Sequence, residues 1–251
     1  MFRKAARTVI EKDTLVTTIQ LQGIHSAAAA ETLSNRFAST VLDQPARVAV
    51  TAAAAAIPPI TVLHLEATEG VDPVTWTISD YVISLPHGIT LFGMTAAALA
   101  IGGAALAHGL RPVAGTRAVR TLLTVWSVAA VIAAVFPTNL RGTEENMSST
   151  IHLVAGGVVF AVLPIAGYLL ARSLRRVQGR SVAGTVLVAT SAVSGLLSTA
   201  LILNRLPATI GMPELMLPPG ILQRVAGGLQ IVLLAVAAIT LLRTRQPAIA
   251  R

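Results

Sequence analysis

The chain contains no cysteine. That excludes disulfides, thiolate nucleophiles and cysteine-ligated metals. Charge is scarce as well: 12% of the 251 residues are Asp, Glu, Lys or Arg, against 54% hydrophobic, with a mean hydropathy of +0.73. A soluble domain needs far more charge to cover its surface, so the composition points to an all-α polytopic membrane protein. The first residues lack the pattern of a secretory signal, because Met1 to Gly23 includes Glu11 and Asp13 and holds no apolar core before a small-residue cleavage site. The net charge of +8 does not argue for nucleic acid as a partner, since Lys and Arg hold the cytoplasmic loops of membrane proteins in place.

Signatures of common chemistries are also missing. There is no HExxH, no GxSxG, no Walker loop and no aspartate-rich prenyl-transfer motif. Polar residues near the bilayer midplane, which transporters and channels use, are few. The exceptions are Thr190, Ser191, Ser194 and Ser198. The four-residue steps of Thr190, Ser194 and Ser198 make one small polar face, expected to pack a neighbouring helix.

What is present is six apolar runs, at about 46–65, 82–107, 119–136, 151–171, 182–203 and 221–242. Each is long enough to cross a bilayer, which predicts a six-helix bundle. Pro58 and Pro59 remove backbone donors from the outer half of the first span and should kink it. Residues 1–45 read as a polar N-terminal extension, 46–245 as the membrane domain and 246–251 as a short tail. Within the extension, Ala27 to Leu42 has helical propensity, with Leu33, Phe37 and Leu42 on one face.

The loops sort by charge. Sixteen of the 19 basic residues fall on one side of the six spans, and Arg141, Arg205 and Arg224 fall on the other with seven of the eleven acids. The positive-inside rule then places both termini in the cytoplasm of a cell-membrane protein.

The opposite, outward side collects unusual residues at helix ends. His64 closes the first span, Asp80 and His87 flank the start of the second within SDYVISLPHG, and the third ends in Phe136, Pro137, Thr138 and Asn139. The fourth opens at His152 with HLVAGG and the sixth near Gln223 with QRVAGG. These matching starts suggest that His152 and Arg224 stand one to two turns above tight glycine-mediated helix contacts. Arg205 and His64 also fit a simple interfacial role. His87 and His152 lie within a turn of apolar sequence, where an ionisable group usually faces the bundle interior.

The candidate ligand-binding set is therefore His152, Asn139, Arg224, His87, His64, Asp80, Thr138 and Glu144. Arg224 would supply a fixed positive charge and a fork suited to phosphate or carboxylate. Glu144 and Glu145 could instead neutralise Arg141 or Arg224. Three histidines with Asp80 or Glu144 could ligate zinc, but nothing has the compact spacing of a metal motif, and neither metal nor other cofactor is expected. The loop after the third span should be ordered, with Ser148, Ser149 or Thr150 capping the fourth helix.

The segment running from Phe136, Pro137, Thr138 and Asn139 through His152, Phe160 and Pro164 to Arg172, with Arg224 later, resembles an uncharacterised family of bacterial and archaeal multi-pass membrane proteins, domain of unknown function 998. The resemblance spans roughly residues 46–245. It implies an integrated six-helix unit and carries no chemistry.

The expected function is binding of a lipid headgroup or small anionic ligand in an outward-facing polar pocket, with the bilayer itself as the other partner. The alternatives are a structural subunit of a membrane complex and an intramembrane enzyme with a histidine general base. The topology is testable by single introduced cysteines and a membrane-impermeant label. Position 143 should label from outside and position 178 should not; the reverse pattern would overturn the orientation.

Overall fold

A computed structural model of the protein describes residues 43–66, 71–139, 143, 144, 146–209 and 217–243. The helix-prone stretch Ala27 to Leu42 and the tail 246–251 lie outside these residues. The described elements are all helical: α1 (43–55), α2 (Ile57–Leu65), α3 (Ile78–Ser84), α4 (Gly88–Gly109), α5 (Arg117–Val135), α6 (Met147–Gln178), α7 (Val182–Thr209) and α8 (Pro219–Arg243). Six stretches are long and apolar enough to cross a membrane, the first formed by α1 and α2 together as Asp43–Leu65.

Local sequence explains the boundaries. Between α1 and α2 the helix is interrupted at Ala56, which keeps right-handed helical dihedrals and still donates to the Ala52 carbonyl. Pro58 and Pro59 follow directly, so the expected disturbance of the first span occurs where their missing donors fall. The second predicted run, 82–107, is instead two helices. Leu85 is extended (φ −110°, ψ 143°) because it precedes Pro86, which disfavours helical dihedrals in the residue before it. The short α3 is closed at its start by Thr77 and Asp80: the Asp80 carboxylate accepts from the Thr77 amide at 2.7 Å and from its hydroxyl at 2.8 Å. α6 is longer than the 151–171 run, because Arg172, Arg175 and Arg176 continue the helix to Gln178, where Gly179 (φ 78°) ends it. Its start is capped by Asn146, whose side chain accepts from the Ser149 amide at 3.0 Å. The expected serine cap is thus replaced by asparagine, with the Asn146 amide donating in turn to Ser149 Oγ.

Sequential helices pack side by side, α4 on α5, α5 on α6, α6 on α7 and α7 on α8, while α6 also meets α8 and α2 meets α4. The main core joins Leu106, Trp126, Leu163, Leu170, Leu187, Leu233 and Leu234, each buried. Large apolar side chains such as Ile101, Val128 and Leu196 face outward, as a lipid-facing surface requires. Short connections put Arg111, Arg117, Arg120, Arg172, Arg175, Arg176, Arg180 and Arg243 at one end of the bundle; Arg224 lies near the other.

The closest helix approaches do not occur at the paired glycines of the two AGG steps. A β-carbon at Gly156, Gly157 or Gly228 would meet nothing within 4 Å, and one at Gly227 would only touch Ile78. The tight contacts are at Gly102 and Gly103 of α4, facing α1, α8 and α5, and at Gly167 of α6, facing Ser191 and Leu233. Backbone also crowds Gly88, which faces Val82, and Gly220, which is held against the segment before α3. A β-carbon at Gly220 would lie 2.4–2.7 Å from the carbonyl oxygens of Trp76, Pro73 and Val74, and the Gly220 amide donates to Val74 at 3.0 Å.

Backbone oxygens cannot swing aside as side chains do. Gly220→Ala should therefore destabilise the detergent-solubilised protein by about 1–3 kcal/mol, the usual cost of overpacking. Gly157→Ala should be neutral or slightly stabilising through helix propensity. Thermal unfolding followed by loss of the monodisperse elution peak reads both; equal loss for the two would contradict the packing.

Candidate functional site

Helices α2, α3, α4, α5, α6 and α8 enclose a cavity of about 360 Å³ at the end of the bundle away from the arginine-rich loops. Its wall is mostly apolar, with Phe92, Leu99, Trp126, Val159, Phe160 and Ile231. Gly156, Gly227 and Gly228 also line it, so the AGG steps leave space where side chains would fill it. The polar groups in the wall are few: Thr61, His64, Ser79, Thr95, His152, Gln223, Arg224 and Gln230.

Three of the eight sequence candidates line this cavity, namely His64, His152 and Arg224. His152 is held on both ring nitrogens. Nδ1 lies 2.8 Å from the Ala133 carbonyl and 2.9 Å from the Phe136 carbonyl, at the end of α5. Carbonyls only accept, so Nδ1 carries the hydrogen. Nε2 lies 3.0 Å from Ser79 Oγ on α3. In the neutral ring it accepts the serine proton. Phe92 stands against the ring, 6.2 Å between centroids.

Arg224 donates from Nη1 to the Trp76 carbonyl at 2.8 Å, and its Cζ sits 4.6 Å above the centre of the Tyr81 ring. Its Nε and Nη2 are buried and have no hydrogen-bond partner. Burial pushes the Tyr81 hydroxyl above its ordinary range, and the charge and hydrogen-bonding capacity of the neighbouring Arg224 oppose this. His64 also meets Tyr81, edge to face at 5.9 Å, and donates from Nδ1 to the Ile60 carbonyl at 2.6 Å.

The other five candidates have different places. Asp80 caps α3. His87 is in the exposed turn before α4, its side chain 72% exposed, with Nδ1 3.6 Å from Glu66. Asn139 donates to the Glu144 carbonyl within its own loop, and the Glu144 residue is exposed. Thr138 is half-buried beside it and is not part of the cavity lining. The loop is tied to α6 through the Ser148 hydroxyl, 2.8 Å from the Pro137 carbonyl. Residues 140–142 and 145, on which a lid would depend, lie outside the described residues, as does the Arg205 side chain. Among the described residues no three His, Asp or Glu side chains gather where they could hold a metal ion.

Sequence reasoning missed Ser79, Gln223 and Gln230. Gln223 accepts from the Ile78 amide at 2.5 Å and so fixes α3 to α8. Gln230 is buried; its Nε2 donates to Ser194, Ser198 and the Phe160 carbonyl at 3.2–3.4 Å, and its Oε1 has no partner. A lone amide in the apolar middle of the last span was the signal available for it. The small polar face of α7 does pack a neighbour through Ser194 and Ser198, while Thr190 is half-buried and bonded to its own helix.

A family described as "Protein of unknown function (DUF998)" matches residues 50–240, most of the chain, and the chain belongs to that family. No curated protein and no solved structure matches it.

The division of roles has a direct consequence for stability. Asp80→Ala removes both bonds that close α3 and should cost about 1 kcal/mol, as lost caps do. His87→Ala removes a water-exposed contact and should leave the melting temperature within error. The same thermal assay checks both, and an equal drop would mean that His87 has a structural role not seen in its contacts.

Proposed function

We propose that this member of the DUF998 family binds an amphiphile, with the apolar body in the cavity and an anionic head, phosphate or carboxylate, at Arg224. One observation carries the reading: the Arg224 Nε and Nη2 groups are buried without partners in an otherwise apolar wall. A guanidinium keeps its charge, and a buried charge without a partner is costly unless something supplies the missing acceptor. The volume of about 360 Å³ is at the lower end of the range for ligand sites. That suits a short amphiphile or one chain of a longer lipid.

The charge split of the loops supports a cell-membrane protein with cytoplasmic termini and the cavity toward the outer leaflet. A purely structural subunit is the second class of function for this chain. It would have no use for an apolar cavity lined by an arginine with spare donors, and so the binding reading is preferred.

Trp126 lines the cavity, which gives a direct readout. In nanodiscs, a brominated fatty acid should quench its fluorescence saturably in a Trp76→Phe background. Arg224→Gln should weaken that binding by about 10- to 100-fold, the worth of a charge-assisted hydrogen bond. The matching brominated alcohol should bind the wild type no better than the variant. Equal affinities for acid and alcohol in the wild type would sink the assignment.

A further inference from the structure

We propose that Ser79 and His152 form a nucleophile–base pair that hydrolyses an ester of the amphiphile held in the cavity. This rests on the binding reading for its substrate and on separate geometry for its chemistry. Several buried hydroxyls in the helices have an ordinary use: those of Ser127, Ser191, Thr95 and Thr240 donate to carbonyls one turn back, at 2.7–3.0 Å. The Ser79 hydroxyl does not. It reaches across to another helix and meets His152 Nε2 at 3.0 Å, within the range expected of a nucleophile and its base.

The third element of such a pair is a group that orients the base. In His152 this is the Ala133 and Phe136 carbonyls, which hold the hydrogen on Nδ1 and leave the Nε2 lone pair facing Ser79. A carboxylate does this in the familiar triads; a carbonyl fixes the same tautomer without adding charge. Ser79 and His152 both line the cavity, as does Arg224 with its two spare donors. Ser79 itself is buried, so an ester must lie in the cavity to reach it.

The step balances with water as the only co-reactant. Ser79 Oγ bonds to the ester carbonyl carbon while its proton moves to His152 Nε2. The tetrahedral intermediate collapses, the carbon–oxygen bond to the alcohol breaks, and Nε2 returns the proton to that oxygen. Water then attacks the acyl-serine, giving its proton to Nε2. The bond to Oγ breaks, Oγ regains the proton, and a carboxylic acid leaves, which ionises to the anion that Arg224 would favour. Negative charge on the intermediate is what the free Arg224 donors could stabilise.

The test uses the full chain in nanodiscs and a dodecyl fluorophosphonate, with the adduct located by peptide mass spectrometry on the wild-type protein. A single adduct on Ser79 is expected. His152→Gln keeps an N–H for the two carbonyls but offers no base, and it should slow labelling by at least about 100-fold. No adduct, an adduct on another residue, or an unchanged rate in His152→Gln overturns the pair. The brominated-acid quenching is measured on the same samples. Quenching without labelling removes the chemistry and leaves the binding reading standing. Labelling of Ser79 without quenching supports the pair and removes the binding reading.

Discussion

Proline in a membrane helix creates a debt that the bilayer cannot settle: each one deletes an N–H, and the carbonyl four residues earlier needs another donor. Two such carbonyls shape this bundle. Pro137 cannot donate to Ala133, and His152 Nδ1 occupies that position instead, bonding Phe136 as well. Pro164, inside α6, cannot donate to Phe160, and Gln230 reaches that oxygen from α8. Polar side chains on α6 and α8 thus complete backbone bonding on α5 and α6. The helices are joined through the defects that proline introduces.

This constraint also sets the chemical state of the site. A histidine bonded by one nitrogen to two carbonyls has no choice of tautomer, so its other nitrogen presents a lone pair to Ser79. Arg224 is different. It uses Nη1 on the Trp76 carbonyl and its face on Tyr81, and two further donors remain without partners. Groups committed to backbone oxygens hold the structure; Arg224, which keeps donors in surplus, lines the cavity. The separation is what singles out Arg224, rather than the more numerous polar residues of the loops, for the proposed ligand recognition.

The number of spans and their approximate limits were legible in the sequence because hydropathy alone determines them in lipid. The break at Pro86 and the cap at Asn146 were not, because both depend on local dihedral and hydrogen-bond detail inside a run that reads as uniformly apolar or polar. His152 was legible as an ionisable group within a turn of apolar sequence, but His87, read in the same way, lies in an exposed turn; His64 read as an interfacial residue and Arg224 as part of a polar helix start. Asn139, Thr138 and Glu144 looked equivalent to them by position, yet the first turns back onto its own loop and none of the three lines the cavity. Ser79 was hidden by its company: it stands beside Asp80, whose capping role explains the polar pair, and serine is too common at helix starts to attract notice. Its partner lies 73 residues away, beyond any spacing rule. The AGG steps misled for a similar reason. Glycine permits close approach but does not compel it, and here Gly156, Gly227 and Gly228 line a cavity instead.

Phe92, Trp126 and Phe160 share their wall with Gly156, Gly227 and Gly228, and the space beside these glycines is cavity rather than core. An unfilled apolar space forfeits dispersion contacts along its whole lining, and in water such a space would be closed by collapse. In a bilayer the surroundings are themselves hydrocarbon, so no hydrophobic force drives the helices inward to close it. An acyl chain filling the space restores the lost contacts and comes from a solvent made of such chains. The apolar wall therefore contributes occupancy but little discrimination, since every lipid tail offers the same contacts. For the proposed amphiphile, selectivity has to arise at the few polar groups of the wall, Arg224, His64, Ser79 and His152 among them.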